Sequence, residues 1–326
     1  MNRNEGKNSS APKSNGPGSK PGMAVGVVGG GPWGVALALA AGRAGSDVTL
    51  YTRREPSHKS ARFRVTASMA DLARARLVVI AVPSTVARDV LRSLGDHLDG
   101  SHLLVHAIRG LSPESLDTVS DIAREETPAR RLGALGGPVQ ASELIEGQPS
   151  ALVCGSHYPE VLAAVSTAFQ HKALRVYSTP DLRGLEWASA MVGCLAVGLG
   201  FAEQSGAGPG LLAALISRGV DEAARITAAA GAEERTMLGL GGYGDLLASM
   251  ALKDRPEVVL GRALAGGASL EEAVARAKLR VEAIALIPRI VRFAKESRIP
   301  APTFDALADT LTGVKAPAIV EKMFSG

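Results

Sequence analysis

The first clear apolar pattern in the chain is a short run at residues 24–28, followed by a glycine-rich turn at residues 29–34. An Ala/Leu-rich segment with helical character comes next, and residues 47–51 form a second β-rich run. Gly29, Gly31 and Gly34 occupy the three glycine positions of a G-x-G-x-x-G motif. In that motif the first glycine permits a tight turn, the second admits a pyrophosphate, and the third lets the helix pack on the strand. The pattern therefore predicts a dinucleotide-binding strand-helix-strand unit.

Up to about residue 180, further apolar runs typical of strands alternate with segments whose apolar residues have helical spacing. The predicted strands are residues 77–81, 102–106, 131–135, 151–154 and 174–178, and the predicted helices are residues 85–97, 112 or 113–126 and 159–170. This alternation predicts an α/β protein with a Rossmann-type, doubly wound parallel sheet. Ligands of such sheets bind beyond the carboxyl ends of the strands, where Arg53, Pro83, Arg109 and Gly137 are found.

The pattern changes after Pro180, because β-rich alternation almost disappears. The predicted helices are residues 182–202, 210–230, 244–252, 256–264, 269–277, 281–295 and 304–311. Ser269 and Glu272 have the spacing of a capping box. We therefore predict three parts: a tail at residues 1–22, a dinucleotide-binding domain at 23–181, and an all-α domain at 182–326, which would bind substrate and form a dimer.

Composition and charge exclude several classes of function. The formal net charge is +4, and four basic residues lie in the first twenty positions, so the predicted folded body is close to neutral. The tail is rich in Asn, Ser, Lys, Gly and Pro, which predicts disorder, and it has no apolar core typical of a signal peptide. We expect a soluble, cytoplasmic protein with reduced Cys154 and Cys194, and no binding of nucleic acid, membrane or metal.

The residues after the second strand bear on the cofactor. An acidic residue there binds the ribose 2′-hydroxyl of NAD, whereas a basic residue accommodates the 2′-phosphate of NADP. Here Arg53 and Arg54 end the strand, and Glu55 follows. The sequence therefore admits NADP as well as NAD. The alternative is that both arginines belong to a solvated loop.

Several segments, in order, resemble the bacterial NAD(P)-dependent glycerol-3-phosphate dehydrogenases. The opening GGGPWGVALA is similar to that family's G-x-G-x-W-G-T-A-L-A. The later similarities are AIRG to T-K-G, GGPVQASE to S-G-P-T-F-A-x-E, AALISRG to A-L-I-T-R-G, GLGGYGDLL to G-L-A-G-L-G-D-L, and RVE to V-V-E-G. The resemblance implies a cytoplasmic homodimer that transfers hydride between NAD or NADP and C2 of glycerol 3-phosphate or dihydroxyacetone phosphate.

The resemblance also implies binding residues. The cofactor would contact Gly29, Gly31, Pro32, Trp33, Gly34, Arg53, Arg54, Pro83, Arg109, Ala141 and Glu282. The substrate would contact Arg109, Gly137, Asp245 and Arg255. The conserved arginine of A-L-I-T-R-G is retained as Arg218.

The chain differs from the family's motifs at the positions of the catalytic and phosphate-binding residues. The family's catalytic lysine and the asparagine after it fall at Val192 and Gly193, and no lysine occurs between Lys172 and Lys253. The lysine of T-K-G is Arg109. The phosphate motif S-R-N-R falls at Arg255-Pro256-Glu257-Val258, and the asparagine of G-x-N-A falls at Gly210. Glu257 would repel an anion there.

Alcohol oxidation needs a base for the hydroxyl proton, which valine cannot supply. Arg109 can polarise a carbonyl or hold a phosphate, but it stays protonated. Asp245 is the candidate for proton handling, although a residue after Gly244 could instead cap a helix. His106 is the second candidate, with packing beside the sheet as its alternative.

Three functions stay open at this point. The first is a glycerol-3-phosphate dehydrogenase with rebuilt acid-base chemistry. The second is an NAD(P) oxidoreductase of the same architecture with another hydroxy or keto substrate. The third is a catalytically silent dinucleotide-binding protein. Because the resemblance extends from Gly29 to Glu282, the dehydrogenase is our expectation.

Overall fold

A computed structural model describes residues 22–112, 115–252, 254–278 and 281–313. The predicted tail therefore lies outside the described residues, except for Gly22. Within them an eight-stranded sheet is followed by a long series of helices. The strands are β1 (Ala24–Val28), β2 (Asp47–Tyr51), β3 (Arg64–Thr66), β4 (Leu77–Ile80), β5 (Leu103–His106), β6 (Arg131–Gly136), β7 (Ser150–Gly155) and β8 (Leu174–Thr179).

The strand order is β3-β2-β1-β4-β5-β6-β7-β8, and the order reverses at β1. All neighbours pair in parallel except β6 and β7, so the predicted doubly wound parallel sheet is confirmed, with one antiparallel pair that the sequence did not indicate. A parallel neighbour needs a crossover that returns the chain to the starting edge. The six-residue helix α4 (Ala141–Glu146) extends only about 9 Å, shorter than the strand, and β7 therefore runs back from the same edge. The short polar edge strand β3 was missed.

The other helices of this part are α1 (Pro32–Arg43), α2 (Ala87–Gly95), α3 (Val119–Glu126) and α5 (Pro159–Phe169). The helix predicted to begin at Ser112 or Pro113 begins at Val119 instead. Thr118 caps it by accepting a hydrogen bond from the Asp121 backbone N–H. Before the cap, the backbone of Leu116 is left-handed, with φ of 64°, which ends any helical path from Ser112. Pro113 lies outside the described residues.

The helical part contains α6 (Leu182–Gln204), α7 (Pro209–Ala229), α8 (Glu234–Leu238), α9 (Asp245–Ala251), α10 (Pro256–Ala265), α11 (Leu270–Ala277), α12 (Ala283–Glu296) and α13 (Pro302–Leu311). The predicted capping box of Ser269 and Glu272 is confirmed at the start of α11. Asp181 caps α6 by accepting from the Gly184 backbone N–H. The division of the chain at residue 181 stays a prediction.

Helix α6 is the centre of the helical part. It is long and apolar enough to cross a membrane by length and composition alone, but 94 % of its most apolar stretch is buried inside the protein. Helix α10 crosses it so closely that a Cβ at Gly261 would lie 1.9 Å from the Val197 carbonyl oxygen. At Gly200 a Cβ would lie 2.1 Å from the Val258 oxygen. These two glycines allow the backbones to touch, and the crossing brings the first turn of α10 onto α6.

Candidate active site

The glycine-rich turn has the steric properties that its motif requires. Gly29 has φ of 125°, and a Cβ there would meet the Ala81 carbonyl oxygen at 2.2 Å. A Cβ at Gly34 would lie 1.9 Å from the Gly29 oxygen, so α1 packs directly on the turn. At Gly31 a Cβ would meet nothing within 4 Å. Open space over Gly31 at the N-terminus of α1 is a cradle that a pyrophosphate fits.

Two open cavities meet at this turn. The one over the end of β2, of about 840 Å³, is lined by Gly29, Gly31, Arg53, Arg54 and Pro83, among others. The second, of about 410 Å³, is the cleft between the sheet and the helical part. Both share Gly31 and residues 81–83, so an extended ligand can run from one to the other around the turn.

The sheet-side wall of the cleft contains most of the predicted cofactor residues. These are Gly31, Pro32, Trp33, Gly34, Pro83, Arg109 and Ala141. Gly137, which was predicted to contact the substrate, lines the same wall. The Trp33 indole N–H donates to the Ala107 carbonyl at 2.7 Å, which ties the start of α1 to the end of β5. Glu282 lies in the same cleft and accepts a hydrogen bond from the Ser84 backbone N–H at 3.0 Å.

An alternating chain of charges joins this wall to the helical part. Arg109 contacts the Asp245 carboxylate at 2.8 Å. Asp245 lies 3.4 Å from Arg255, which also donates from Nε to Glu257 at 3.1 Å. The Arg255 guanidinium donates to the Ser249 hydroxyl as well. Asp245 and Arg255 are buried, whereas the Arg109 side chain is 35 % exposed and lines the cleft.

Burial and neighbouring charges shift the pKa values of Arg109, Arg255 and Glu257. Burial alone would lower the pKa of Arg109, but Asp245 and Glu257 raise it above its usual value. Burial and the Arg109 charge lower the pKa of Arg255. Burial alone would raise the pKa of Glu257, but Arg255 and Arg109 hold it below its usual value. Arg109 and Glu257 are therefore charged groups at the surface of the cleft near neutral pH.

The structure places Asp245 behind the cleft. It is the first residue of α9, its exposed fraction is 0 %, and it is not among the described residues that line the cleft. Gly244 occupies the N-cap position, and the Asp245 side chain makes no cap there. The helix-cap alternative is therefore wrong, and the geometry makes Asp245 a group that orients Arg109 and Arg255.

His106 lies outside the cleft lining. Its exposed fraction is 4 %, and its Nε2 lies 2.8 Å from the buried carboxylate of Glu186 on α6. Glu186 also accepts from the backbone N–H and hydroxyl of Ser120 at the start of α3. His106 is therefore packed beside the sheet, as the alternative interpretation of the sequence had it. This buried position conflicts with a role of His106 in proton transfer at the cleft. Sequence reasoning missed Glu186, whose partners are distant in the chain.

Helix α6 forms the opposite wall. Val192, where the resemblance places the family's lysine, is completely buried in the helical core. The residues of α6 that line the cleft are Ser189, Ala190 and Gly193. A Cβ at Gly193 would lie 3.8 Å from Oε1 of Glu257, which also lines the cleft. Sequence reasoning treated Glu257 only as a group that repels an anion, because its closeness to Gly193 depends on the helix crossing.

A glycine-rich turn on a Rossmann-type sheet, with a cleft closed by a helical part and lined by charged groups, defines a dinucleotide-dependent oxidoreductase. Comparison with known proteins specifies the family. The profile of the NAD-dependent glycerol-3-phosphate dehydrogenase N-terminus matches residues 60–162, and that of the C-terminus matches residues 181–321. The chain belongs to the NAD-dependent glycerol-3-phosphate dehydrogenase family, as the resemblance predicted.

Individual proteins of known sequence or structure support the same family assignment. The chain is 32 % identical to glycerol-3-phosphate dehydrogenase [NAD(P)+] of Caulobacter vibrioides, over 89 % of this chain and 92 % of that protein. Its fold is similar to the crystal structure of glycerol-3-phosphate dehydrogenase from Coxiella burnetii, with a TM-score of 0.85 and 22 % identity over 94 % of this chain and all of that one. The enzyme from Saccharomyces cerevisiae gives a TM-score of 0.82 at 17 % identity, over the same shares.

Proposed function

We propose that this protein is an NAD(P)-dependent glycerol-3-phosphate dehydrogenase, which transfers hydride between nicotinamide and C2 of glycerol 3-phosphate or dihydroxyacetone phosphate. The observation that carries the proposal is the continuity of the two cavities around Gly31. A dinucleotide whose pyrophosphate lies at the turn would extend its nicotinamide into the cleft beside Arg109. The family assignment supports the substrate.

The residues of the chain divide the work as follows. The open space over Gly31 would hold the pyrophosphate against the backbone N–H groups at the N-terminus of α1, and Gly29 and Gly34 allow the turn to pack closely. When bound, the nicotinamide supplies a two-electron hydride donor or acceptor. Arg109 polarises the C2 oxygen or holds the substrate phosphate, and Asp245 fixes the guanidinium through the 2.8 Å contact.

A second candidate is an oxidoreductase of the same fold that acts on another hydroxy or keto compound. The observation that favours it is the commitment of Arg255 to three protein groups, Asp245, Ser249 and Glu257. This guanidinium is buried and is not among the described residues that line the cleft, so it is poorly placed for a substrate phosphate, and Glu257 adds a negative charge to the cleft. A silent dinucleotide-binding protein is the remaining alternative.

An assay of nicotinamide absorbance tests these candidates. The purified protein is mixed with dihydroxyacetone phosphate and excess NADPH or NADH, and in parallel with dihydroxyacetone, which lacks the phosphate. The proposal expects turnover that depends on the phosphate. Turnover of the unphosphorylated ketone at an equal rate would favour the second candidate. Cofactor binding by fluorescence titration without turnover of either ketone would overturn the proposal and favour the silent protein.

The remaining proposals concern the cofactor preference and the assembly. Arg53 and Arg54 line the cavity over the end of β2, and this supports acceptance of the 2′-phosphate of NADP. The family resemblance supports a cytoplasmic homodimer formed through the helical part. Sedimentation equilibrium of the full chain tests the dimer, because a monomer at all concentrations would contradict it.

A further inference from the structure

The cleft needs a group that accepts a proton. Oxidation of a secondary alcohol requires a base for the hydroxyl proton while hydride leaves the carbon. Among the described residues, those that line the cleft and carry charge are Arg109, Glu257 and Glu282. Arg109 stays protonated and cannot act as a base. The choice therefore lies between the two glutamates.

Glu282 belongs to the sheet side. Its Oε1 accepts the hydrogen bond from the Ser84 backbone N–H, in the loop that follows β4. Its Oε2 lies 2.3 Å from where a Cβ of Gly110 would be, so the carboxylate is packed against the backbone that follows β5. In this position Glu282 connects the segments that follow β4 and β5 on the sheet-side wall. Glu257 is then the candidate base on the helical wall.

Glu257 lies on the helical wall, opposite the glycine-rich turn. Its Oε2 accepts from Nε of Arg255, whereas its Oε1 lies over the bare backbone of Gly193. Gly193 directly follows the position of the family's lysine. We propose that Glu257 is the proton acceptor of this active site and does the work of the absent lysine. The proposal rests on the dehydrogenase function proposed above.

The charges that face Glu257 stabilise its deprotonated form, which is the form that can accept a proton. Arg255 and Arg109 lie on two separate elements, and Asp245 compensates both of them from α9. Glu257 is also in the first turn of α10, where the helix dipole favours an anion. On α6 the neighbouring group is the thiol of Cys194, whose pKa is raised by burial and then by Glu257, so it stays neutral. Glu257 is therefore ionised but only weakly basic.

The proposed step balances as follows. The hydroxyl proton at C2 moves to a Glu257 carboxylate oxygen, and the C2 hydrogen leaves with its electron pair for C4 of the oxidised nicotinamide. The C2–O bond becomes a carbonyl, which Arg109 stabilises. Glu257 then releases its proton to water at the open cleft. Since a weak base contributes at the low end of the usual range, we expect its removal to cost about 100-fold in rate.

The test compares the full-length protein with Glu257→Gln and Glu257→Asp in the oxidation of glycerol 3-phosphate by NADP⁺ and NAD⁺. Glu271→Gln, on the exposed surface of α11, is the matched control. We expect Glu257→Gln to lower kcat by about 100-fold with little change in KM. Glu257→Asp should recover part of the rate, and Glu271→Gln should not differ from the unmodified protein. Cofactor affinity by nicotinamide fluorescence should be the same in all four proteins.

The pH profile gives a second readout. Because the pKa of Glu257 is lowered, the acid limb of kcat/KM for oxidation should fall below the usual glutamate range, and the rate should be lost as the pH drops through it. Glu257→Gln should lack this limb, and Glu257→Asp should keep it.

Three results would overturn the inference. An unchanged kcat in Glu257→Gln would remove Glu257 from proton transfer but leave the dehydrogenase function intact. A lower KM at the same kcat would show that Glu257 only repels the phosphate. If the unmodified protein oxidises no glycerol 3-phosphate while it binds cofactor, the proposed function falls, and the inference falls with it.

Discussion

The two walls of the cleft use different means to present a ligand. On the sheet side, space and backbone geometry do the work: Gly31 is open, and a Cβ at Gly34 would collide with the turn. On the helical side, Asp245, Arg255 and Glu257 present charge through side chains that hold one another. Backbone sterics tolerate few residue types at a position, whereas a balanced set of charges can be rearranged as a unit. The glycine-rich turn therefore matches the family motif, whereas Glu257 on the helical side stands where the resemblance places a residue of the phosphate motif.

The largest expected effect comes from breaking the charge chain at its centre. Asp245→Ala would remove the carboxylate between Arg109 and buried Arg255 and leave like charges facing each other. Loss of one partner of a buried pair costs about 3–5 kcal/mol of the free energy of unfolding. Denaturation in urea measures it, with Asp245→Asn as the variant of the same shape. A loss under about 1 kcal/mol, typical of surface pairs, would contradict the buried network.

The next effect separates a structural histidine from a catalytic one. His106→Leu would remove a hydrogen-bond partner of buried Glu186, which costs about 1.5–3 kcal/mol when the acceptor is charged. We expect lower stability and an unchanged kcat, and His106→Gln should restore part of the stability through its own N–H donor. A fall in kcat with normal stability would return His106 to the list of proton-handling groups.

Glycine substitutions sharpen the contrast on the sheet side. Gly34→Ala should cost about 1–3 kcal/mol of unfolding free energy, because its Cβ would lie 1.9 Å from the Gly29 oxygen. Gly31→Ala should leave stability unchanged, since its Cβ would meet no protein atom within 4 Å. Both should weaken cofactor binding, Gly31→Ala by filling the cradle. Thermal unfolding and fluorescence titration measure the two effects, and normal cofactor affinity in Gly31→Ala would place the pyrophosphate elsewhere.

The sequence predicted the parts of the fold that depend on local rules. Apolar runs and turn glycines placed seven of the eight strands, and the spacing of Gly29, Gly31 and Gly34 predicted the cradle. The antiparallel pair of β6 and β7 could not be predicted in the same way, because it depends on the route of the chain between them. Tertiary geometry decides this route.

The sequence was less informative about side chains that meet across long separations. A histidine at a strand end can face either the cleft or the domain interior, and only the position of Glu186 on α6 decides this for His106. Glu257 faces the cleft because Gly200 and Gly261 allow α10 to cross α6 closely. That crossing is the physical origin of the site on the helical wall, and no motif encodes it.

The smallest expected effect concerns the outer end of the sheet side, where side chains rather than backbone would select between cofactors. Arg53 and Arg54 are exposed and line the cavity over β2. Replacing both with alanine should weaken NADPH binding by about tenfold, roughly 1.4 kcal/mol, because water screens exposed charges. NADH binding should change little, since NADH lacks the 2′-phosphate. Titration at low and high salt measures both, and the difference should shrink with salt. No loss for either cofactor would make these arginines a solvated loop and leave recognition on this side to the turn glycines, whereas equal losses would mean that the arginines contact a part that the two cofactors share.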